Sequence, residues 1–238
     1  MLIRSCARFI LGAALMIGSA ACSRVQHVET APTSAIADSM PGADTKRAAP
    51  GATDINALVG ALRHGGYVIV FRHAPTNRDQ ADTDPLNFSD TTHQRLLSDK
   101  GRELAAEIGN AFLALRIPVG RIYTSKYSRA IETGKLIGGT AVTPTIEVTE
   151  GGLVATPIEN DRRAAALKEM VATPPAAGTN TIVVTHKPNL IDAFGADWVG
   201  SKEAEAGVFK RDEYGRATLI ARVQASDWIN VATSRAER

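Results

Sequence analysis

Apolar and polar positions along this chain fall into blocks that switch between the period of a helix and that of a strand. Behind Asp54, an N-cap residue, Leu58, Val59 and Leu62 share one helical face, and Gly65-Gly66 stops the segment. Tyr67–Phe71 is an unbroken apolar run that predicts a buried strand. Arg72 and His73 follow it, and Ala74-Pro75-Thr76-Asn77 predicts a turn. A polar stretch then runs to about Leu97. Ser98 or Asp99 caps a helix with Leu104, Ile108, Phe112 and Leu115 on one face, closed by Pro118. Val119–Thr124 predicts a second strand and Tyr127–Ile137 a helix stopped by Gly138-Gly139, and Val142–Thr149 is strand-like. Arg162–Val171 predicts a helix that ends before Pro174-Pro175. Thr181–Thr185 predicts a short buried strand, and Pro188 and Asn189 open another helix. Val208–Arg211 and Ala217–Val223 predict a closing hairpin around Glu213-Tyr214-Gly215. Strands alternating with helices predict an α/β fold, a three-layer α/β/α sandwich with a mainly parallel central sheet.

The segment before Asp54 follows neither period. Arg4 and Arg8 precede a short apolar stretch, Phe9–Ile17, and then Gly18-Ser19-Ala20-Ala21-Cys22. That is the layout of an export signal, too short to span a bilayer comfortably. Small residues directly before a Cys resemble a bacterial lipobox, with Ser19 where Leu is usual, so Cys22 is the expected lipidation site. Signal-peptidase cleavage after Ala21 is the alternative. Residues 23–53, rich in Ala, Pro, Thr, Ser and Gly, predict a flexible linker. The expected division is therefore signal over 1–22, linker over 23–53 and one domain over 54–238. The expected location is periplasmic, with membrane attachment through Cys22.

Composition narrows the chemistry. At 44% hydrophobic and 22% charged, a chain of 238 residues has material for a real core. A net charge of +2 is too weak a bias to predict a nucleic-acid partner, so any basic site must be local. The only cysteines are Cys6 and Cys22, so no disulfide and no cysteine metal site is expected in the domain.

Three segments share one design: an apolar strand with a cation or imidazole at or just beyond its C-terminal end. Arg72 and His73 follow the first. Ile122-Tyr123-Thr124-Ser125 leads to Arg129 in the first turn of a helix. Ile182-Val183-Val184-Thr185 leads to His186. In a parallel sheet these ends lie on one edge, where ligand crevices form. Two guanidiniums and two imidazoles around one point make an anion site, because the arginine fork matches phosphate oxygens. The N-terminus of the helix carrying Arg129 is expected to add free N–H groups.

These residues resemble a known family. Arg72-His73-Ala74-Pro75-Thr76 resembles the Arg-His-Gly motif of the histidine phosphatase superfamily, in its phosphoglycerate-mutase-like branch, with Ala74 where Gly is usual. Ser125-Lys126-Tyr127-Ser128-Arg129-Ala130-Ile131-Glu132-Thr133 is similar to its Ser-x-x-x-Arg-Ala-x-x-Thr signature. Leu97-Ser98-Asp99-Lys100-Gly101 is similar to its Leu-Ser/Thr-x-x-Gly helix start, and Val183-Val184-Thr185-His186 to its second-histidine strand. The likeness covers roughly residues 54–232, and several motifs in the right order are far more specific than any one. The resemblance implies His73 as nucleophile, with Arg72, Arg129 and His186 binding the transferring phosphoryl, and it implies no metal and no cofactor. Glu150 is the best positional match for the general acid. Asp82 and Asp84 are rivals, and Glu147 falls too early. Thr76 and Arg95 are further candidates for phosphate binding.

Other features have plainer readings. Arg63-His64-Gly65 is a literal Arg-His-Gly, but it closes a helix before the strand, where a cation suits a helix C-terminus. His27 reads as linker and His93 as loop. Tyr123 and Tyr127 read as packing, and Glu203 with Glu205 as a solvated face. The expected function is an exported, metal-independent phosphomonoesterase acting on a phosphorylated small molecule or an envelope sugar phosphate. A mutase of the same family and a catalytically weak phosphate-binding lipoprotein are the alternatives.

Overall fold

Side-chain caps fix where the first two helices begin. Asp54 accepts from the N–H groups of Asn56 and Ala57, and α1 runs Ile55–Leu62 with Leu58, Val59 and Leu62 buried. Ser98 accepts from the Gly101 N–H and opens α2, Asp99–Ala114. Each cap satisfies N–H groups that the helix itself leaves without acceptors. The computed structural model describes residues 54–152 and 154–237. The expected signal over 1–22, the Cys22 lipidation site and the linker over 23–53 lie outside the described residues.

Six strands form one sheet: β1 Tyr67–Arg72, β2 Val119–Thr124, β3 Thr143–Pro144, β4 Asn180–Thr185, β5 Ala206–Arg211 and β6 Ala217–Val223, in the order β3-β2-β4-β1-β5-β6. The first four in that order run parallel, and the β5–β6 hairpin adds antiparallel strands beside β1. The remaining helices are α3 Ser128–Gly138, α4 Pro157–Ala172, α5 Lys187–Phe194 and α6 Ala225–Ala236.

Alternation in β1 assigns the layers. Ile69 and Phe71 pack with α1, α2, α3 and α6 on one face, while Val68 and Val70 pack with α4 and α5 on the other. Phe112 of α2 bridges the first face, its ring 6.1 Å from Phe71 and 5.1 Å from Trp228 of α6. Full burial of each such side chain contributes about 1.5–3 kcal/mol. The observed fold is thus the predicted α/β/α sandwich with a mainly parallel sheet.

Three elements differ from the sequence pattern. Val142–Thr149 is not one strand: only Thr143 and Pro144 pair with β2, and Ile146–Val148 is a 3₁₀ turn. Thr145 ends the pairing, its N–H going to Thr124 O and its hydroxyl accepting from Glu147 N–H, which folds the chain into a turn. The helix expected from Arg162 starts earlier, at Pro157, because Thr156 caps it on Glu159 N–H and proline suits the first helical position. Helix α6 was not expected. It opens on a capping box formed by Gln224 and Asp227, without the usual Ser or Thr, and buries Trp228.

The register positions the site. Arg72 pairs with Thr185 and Thr124 with Val184, so the C-terminal ends of β1, β4 and β2 finish level. His73 N–H continues the ladder to Thr185 O at 3.0 Å, and Ser125 N–H to Val184 O at 2.9 Å.

Candidate active site

His73 leaves β1 with both its backbone and its ring held. Its carbonyl accepts from Ala204 N–H at 3.1 Å, and Ala74 N–H donates to Thr133 Oγ1 at 3.1 Å. Ring Nδ1 lies 2.8 Å from Ala74 O. A carbonyl only accepts, so Nδ1 carries the hydrogen and Nε2 presents a lone pair. Burial pushes the imidazole pKa well below its ordinary 6.5, and the neighbouring His186, Arg129 and Arg72 push the same way. His73 is therefore neutral at pH 7, with the Nε2 lone pair free.

Arg129 is wholly buried in the first turn of α3. Its Nη1 donates to Asp82 at 2.9 Å and to Arg95 O at 3.3 Å, its Nη2 pairs with Glu150, and its guanidinium sits 4.1 Å from the Tyr127 ring centre. A buried cation needs such partners. Arg72 donates from Nη1 to Ser201 O at 2.7 Å, and its Nη2 is 3.7 Å from Glu203. Burial lowers its pKa, while Glu203 acts in the opposite sense. His186, at the end of β4, lies with its ring centre 5.1 Å from that of His73. Its Nε2 is 2.7 Å from Ser125 Oγ. Its Nδ1 is 3.2 Å from Glu150 Oε1 but not aligned for a hydrogen bond. Burial first, then Arg129, Arg95 and Arg72, hold the His186 pKa well below 6.5.

Glu150 is delivered by the residue before it. The Thr149 carbonyl accepts from Arg163 Nη1 at 3.0 Å and Asn189 Nδ2 at 3.2 Å, and its hydroxyl bonds Thr145 O and Lys126 N–H. The structure thus brings Arg72, His73, Arg129, Glu150 and His186 to one edge. Thr76 and Arg95 join them from the loop after β1, with Arg95 Nη1 donating to Thr76 Oγ1 at 2.6 Å. Asp82 caps the Arg95 N–H at 2.9 Å as well as pairing with Arg129. Asp84 stays within the loop, where its carbonyl accepts from Asn87. Glu147 pairs with Arg162 at 2.6 Å, away from the cluster.

Several expectations change here. Two of the N–H groups around the start of α3 are already taken by side chains. Ser128 N–H is taken by Gln94 Oε1 at 2.8 Å, and Tyr127 N–H by Ser125 Oγ at 3.2 Å. Tyr127 is more than packing: it stacks on Arg129, meets His186 edge-on at 5.4 Å, and has its pKa raised to about 12 by burial and then by Asp82 and Glu150. Glu203 and Glu205 are not a solvated face. Glu205 is buried against Arg222, 2.6 Å from its Nε, and its carbonyl accepts from Arg72 N–H. Ser125 and Gln94 were not singled out in sequence, although Ser125 opens the second motif. His93 remains a loop residue, bonded to Thr83.

Polar atoms left without a partner concentrate here. Arg72 Nε, Arg129 Nε and His186 Nδ1 are buried and hydrogen-bond nothing in the protein. Among the described residues, no group of three or more His, Cys, Asp or Glu side chains is placed to hold a metal ion. A groove of about 920 Å³ between β2, β3 and α4, lined by Tyr123, Pro144, Arg162 and Met170, contains none of the clustered residues.

Neither a protein-family model nor a curated protein matches the chain. Solved structures do. Bacillus stearothermophilus YhfR is 16% identical with a TM-score of 0.50, over 68% of this chain and 98% of that one. The protein histidine phosphatase SixA complexed with tungstate is 18% identical with a TM-score of 0.47, again over 68% and 98%. A mycobacterial glucosyl-3-phosphoglycerate phosphatase is 17% identical with a TM-score of 0.46, over 65% and 96%. At these identities the likeness is one of fold. The chain shares the α/β fold of YhfR.

Proposed function

We propose that this protein is a metal-independent phosphomonoesterase that works through a phosphohistidine on His73. The observation that carries this reading is a conjunction. A neutral imidazole with Nδ1–H fixed on Ala74 O stands beside three buried polar atoms, Arg72 Nε, Arg129 Nε and His186 Nδ1, that have no partner in the protein. Fixed donors of this kind stabilise the charge spread over a transferring phosphoryl group.

In the first step His73 Nε2 attacks phosphorus. The P–N bond forms, the P–O bond to the leaving group breaks, and the departing oxygen takes a proton from the Glu150 carboxyl. Its pairing with Arg129 holds the Glu150 carboxyl group at the site. In the second step water attacks phosphorus and gives its proton to the Glu150 carboxylate. The P–N bond breaks, and phosphate leaves. Two arginines supply the positive charge.

Arg4, Arg8, the apolar stretch and Cys22 support export and lipid attachment at the membrane, with a phosphorylated small molecule or envelope sugar phosphate as substrate. The purified full chain is expected to hydrolyse p-nitrophenyl phosphate in the presence of EDTA. Turnover of His73→Ala equal to wild type would overturn the enzyme reading, and loss of turnover with EDTA would overturn its metal independence. Cys22→Ser is expected to move the protein from the membrane to the soluble fraction, and no shift would remove the anchor.

A further inference from the structure

We infer that Ser125 is a positioning residue whose hydroxyl fixes His186 as the Nδ1–H tautomer, so that this imidazole turns a hydrogen-bond donor, not a lone pair, toward the phosphoryl site. The purpose of that donor rests on the phosphatase reading. The tautomer itself rests on hydrogen-bond accounting.

Ser125 is fully buried at the end of β2, with its backbone N–H held by Val184 O. Its Oγ has two neighbours. Tyr127 N–H, at 3.2 Å, can only donate. His186 Nε2, at 2.7 Å, can do either. A hydroxyl carries one hydrogen and two lone pairs. Were Nε2 protonated, Oγ would accept from both neighbours, and its own hydrogen would have no acceptor among the described groups. Buried polar groups avoid that state. The hydroxyl therefore donates to Nε2. His186 is neutral, so its one ring hydrogen goes to Nδ1.

The opposite side of the ring gives the same answer independently. Nδ1 faces Glu150 Oε1 at 3.2 Å. An N–H toward a carboxylate is attractive, and a lone pair there is repulsive. Nδ1 is also buried and has no hydrogen-bond partner in the protein, which leaves its hydrogen available to an incoming oxyanion. The two site histidines thus share a tautomer and use it in opposite ways. Ala74 O holds the Nδ1 hydrogen of His73 and frees Nε2 to attack, whereas Ser125 occupies Nε2 of His186 and frees Nδ1–H to bind.

The test is ¹⁵N NMR of the full chain labelled at histidine, with His186 assigned by its loss in His186→Gln. Wild type is expected to show a pyrrole-type Nδ1 and a pyridine-type Nε2 for His186. The reverse pattern would overturn the inference, whatever any variant does. Ser125→Ala is expected to make Nε2 at least partly pyrrole-type and to lower kcat for p-nitrophenyl phosphate by about 10- to 100-fold, with KM within about threefold. Unchanged shifts and unchanged kcat in a folded Ser125→Ala would also overturn it. If His186 is the Nδ1–H tautomer but His73→Ala turns over like wild type, the phosphatase reading falls and the tautomer assignment stands.

Discussion

Two Arg-His pairs sit at opposite ends of β1, and only one of them joins a buried cluster of cations and imidazoles. Arg63 and His64 lie just before the strand, in the literal Arg-His-Gly. Arg63 Nε is spent on Leu115 O at 2.7 Å, next to the C-terminus of α2. Gly65 adopts φ +74°, and a Cβ there would lie 2.5 Å from Thr179 N, so its presence answers a backbone demand. Arg72 and His73 lie at the far end. There β1, β2 and β4 stop level, the ladder continues into the first residues of the turns, and buried side chains converge. The same dipeptide is a helix closure on one sheet edge and a site on the other. The difference lies in which strand ends meet, and no local motif carries that information.

The comparison can be broken most forcefully at the histidines. His73→Ala is expected to lower kcat by about 10⁴-fold or more, as deletion of a covalent nucleophile does. His64→Ala is expected to leave steady-state hydrolysis within about twofold of wild type. Comparable losses in the two variants would erase the distinction. At Glu150 the effect should depend on the leaving group. Glu150→Gln is expected to slow alkyl phosphate hydrolysis by about 10²–10⁴-fold and aryl phosphate hydrolysis far less. Equal losses would assign the acid elsewhere, with Asp82 the nearest carboxylate on Arg129. Arg129→Ala is expected to cost about 10²–10³-fold in kcat/KM, the range for one oxyanion donor.

Stability against pH sharpens the same contrast. His73 and His186 are buried and neutral, with folded pKa values below the 6.5 expected unfolded. The unfolded chain therefore binds protons that the native chain does not. Their contribution is fully present above about pH 6.5 and is lost progressively as pH falls below it. Urea unfolding at pH 7.5 and 5.5 measures this, and His73→Gln should flatten the dependence. The smallest expected effect is at the other pair. Arg63→Ala should cost about 0.5–1.5 kcal/mol in the same unfolding assay, without changing kcat.

What was legible in sequence was local. Asp54 and Ser98 announced their helices, and the unbroken apolar runs of β1 and β4 marked strands buried on both faces. The level ends of those strands then followed from a parallel sheet, which is why His73, Arg72, Arg129 and His186 could be grouped. Val142–Thr149 misled because its apolar residues suit a strand, while Thr145 had a side-chain acceptor able to turn the chain. Helix α6 was hidden by a glutamine cap. Within the site, partnerships between residues distant in sequence were invisible: Gln94 on Ser128 N–H, Asp82 on Arg129, and Glu205 on Arg222. Each is decided by packing of the loops, whose composition specifies no partner.

The central claim is that His73 at the C-terminal end of β1 carries the phosphoryl group. Rapid acid-free quenching of the full chain with ³²P-labelled aryl phosphate, followed by peptide mapping, tests it directly. The account predicts a base-stable, acid-labile label on His73 that forms before steady-state turnover and is absent in His73→Ala. Turnover with no such label in wild type, or a label mapping to another residue, would contradict it.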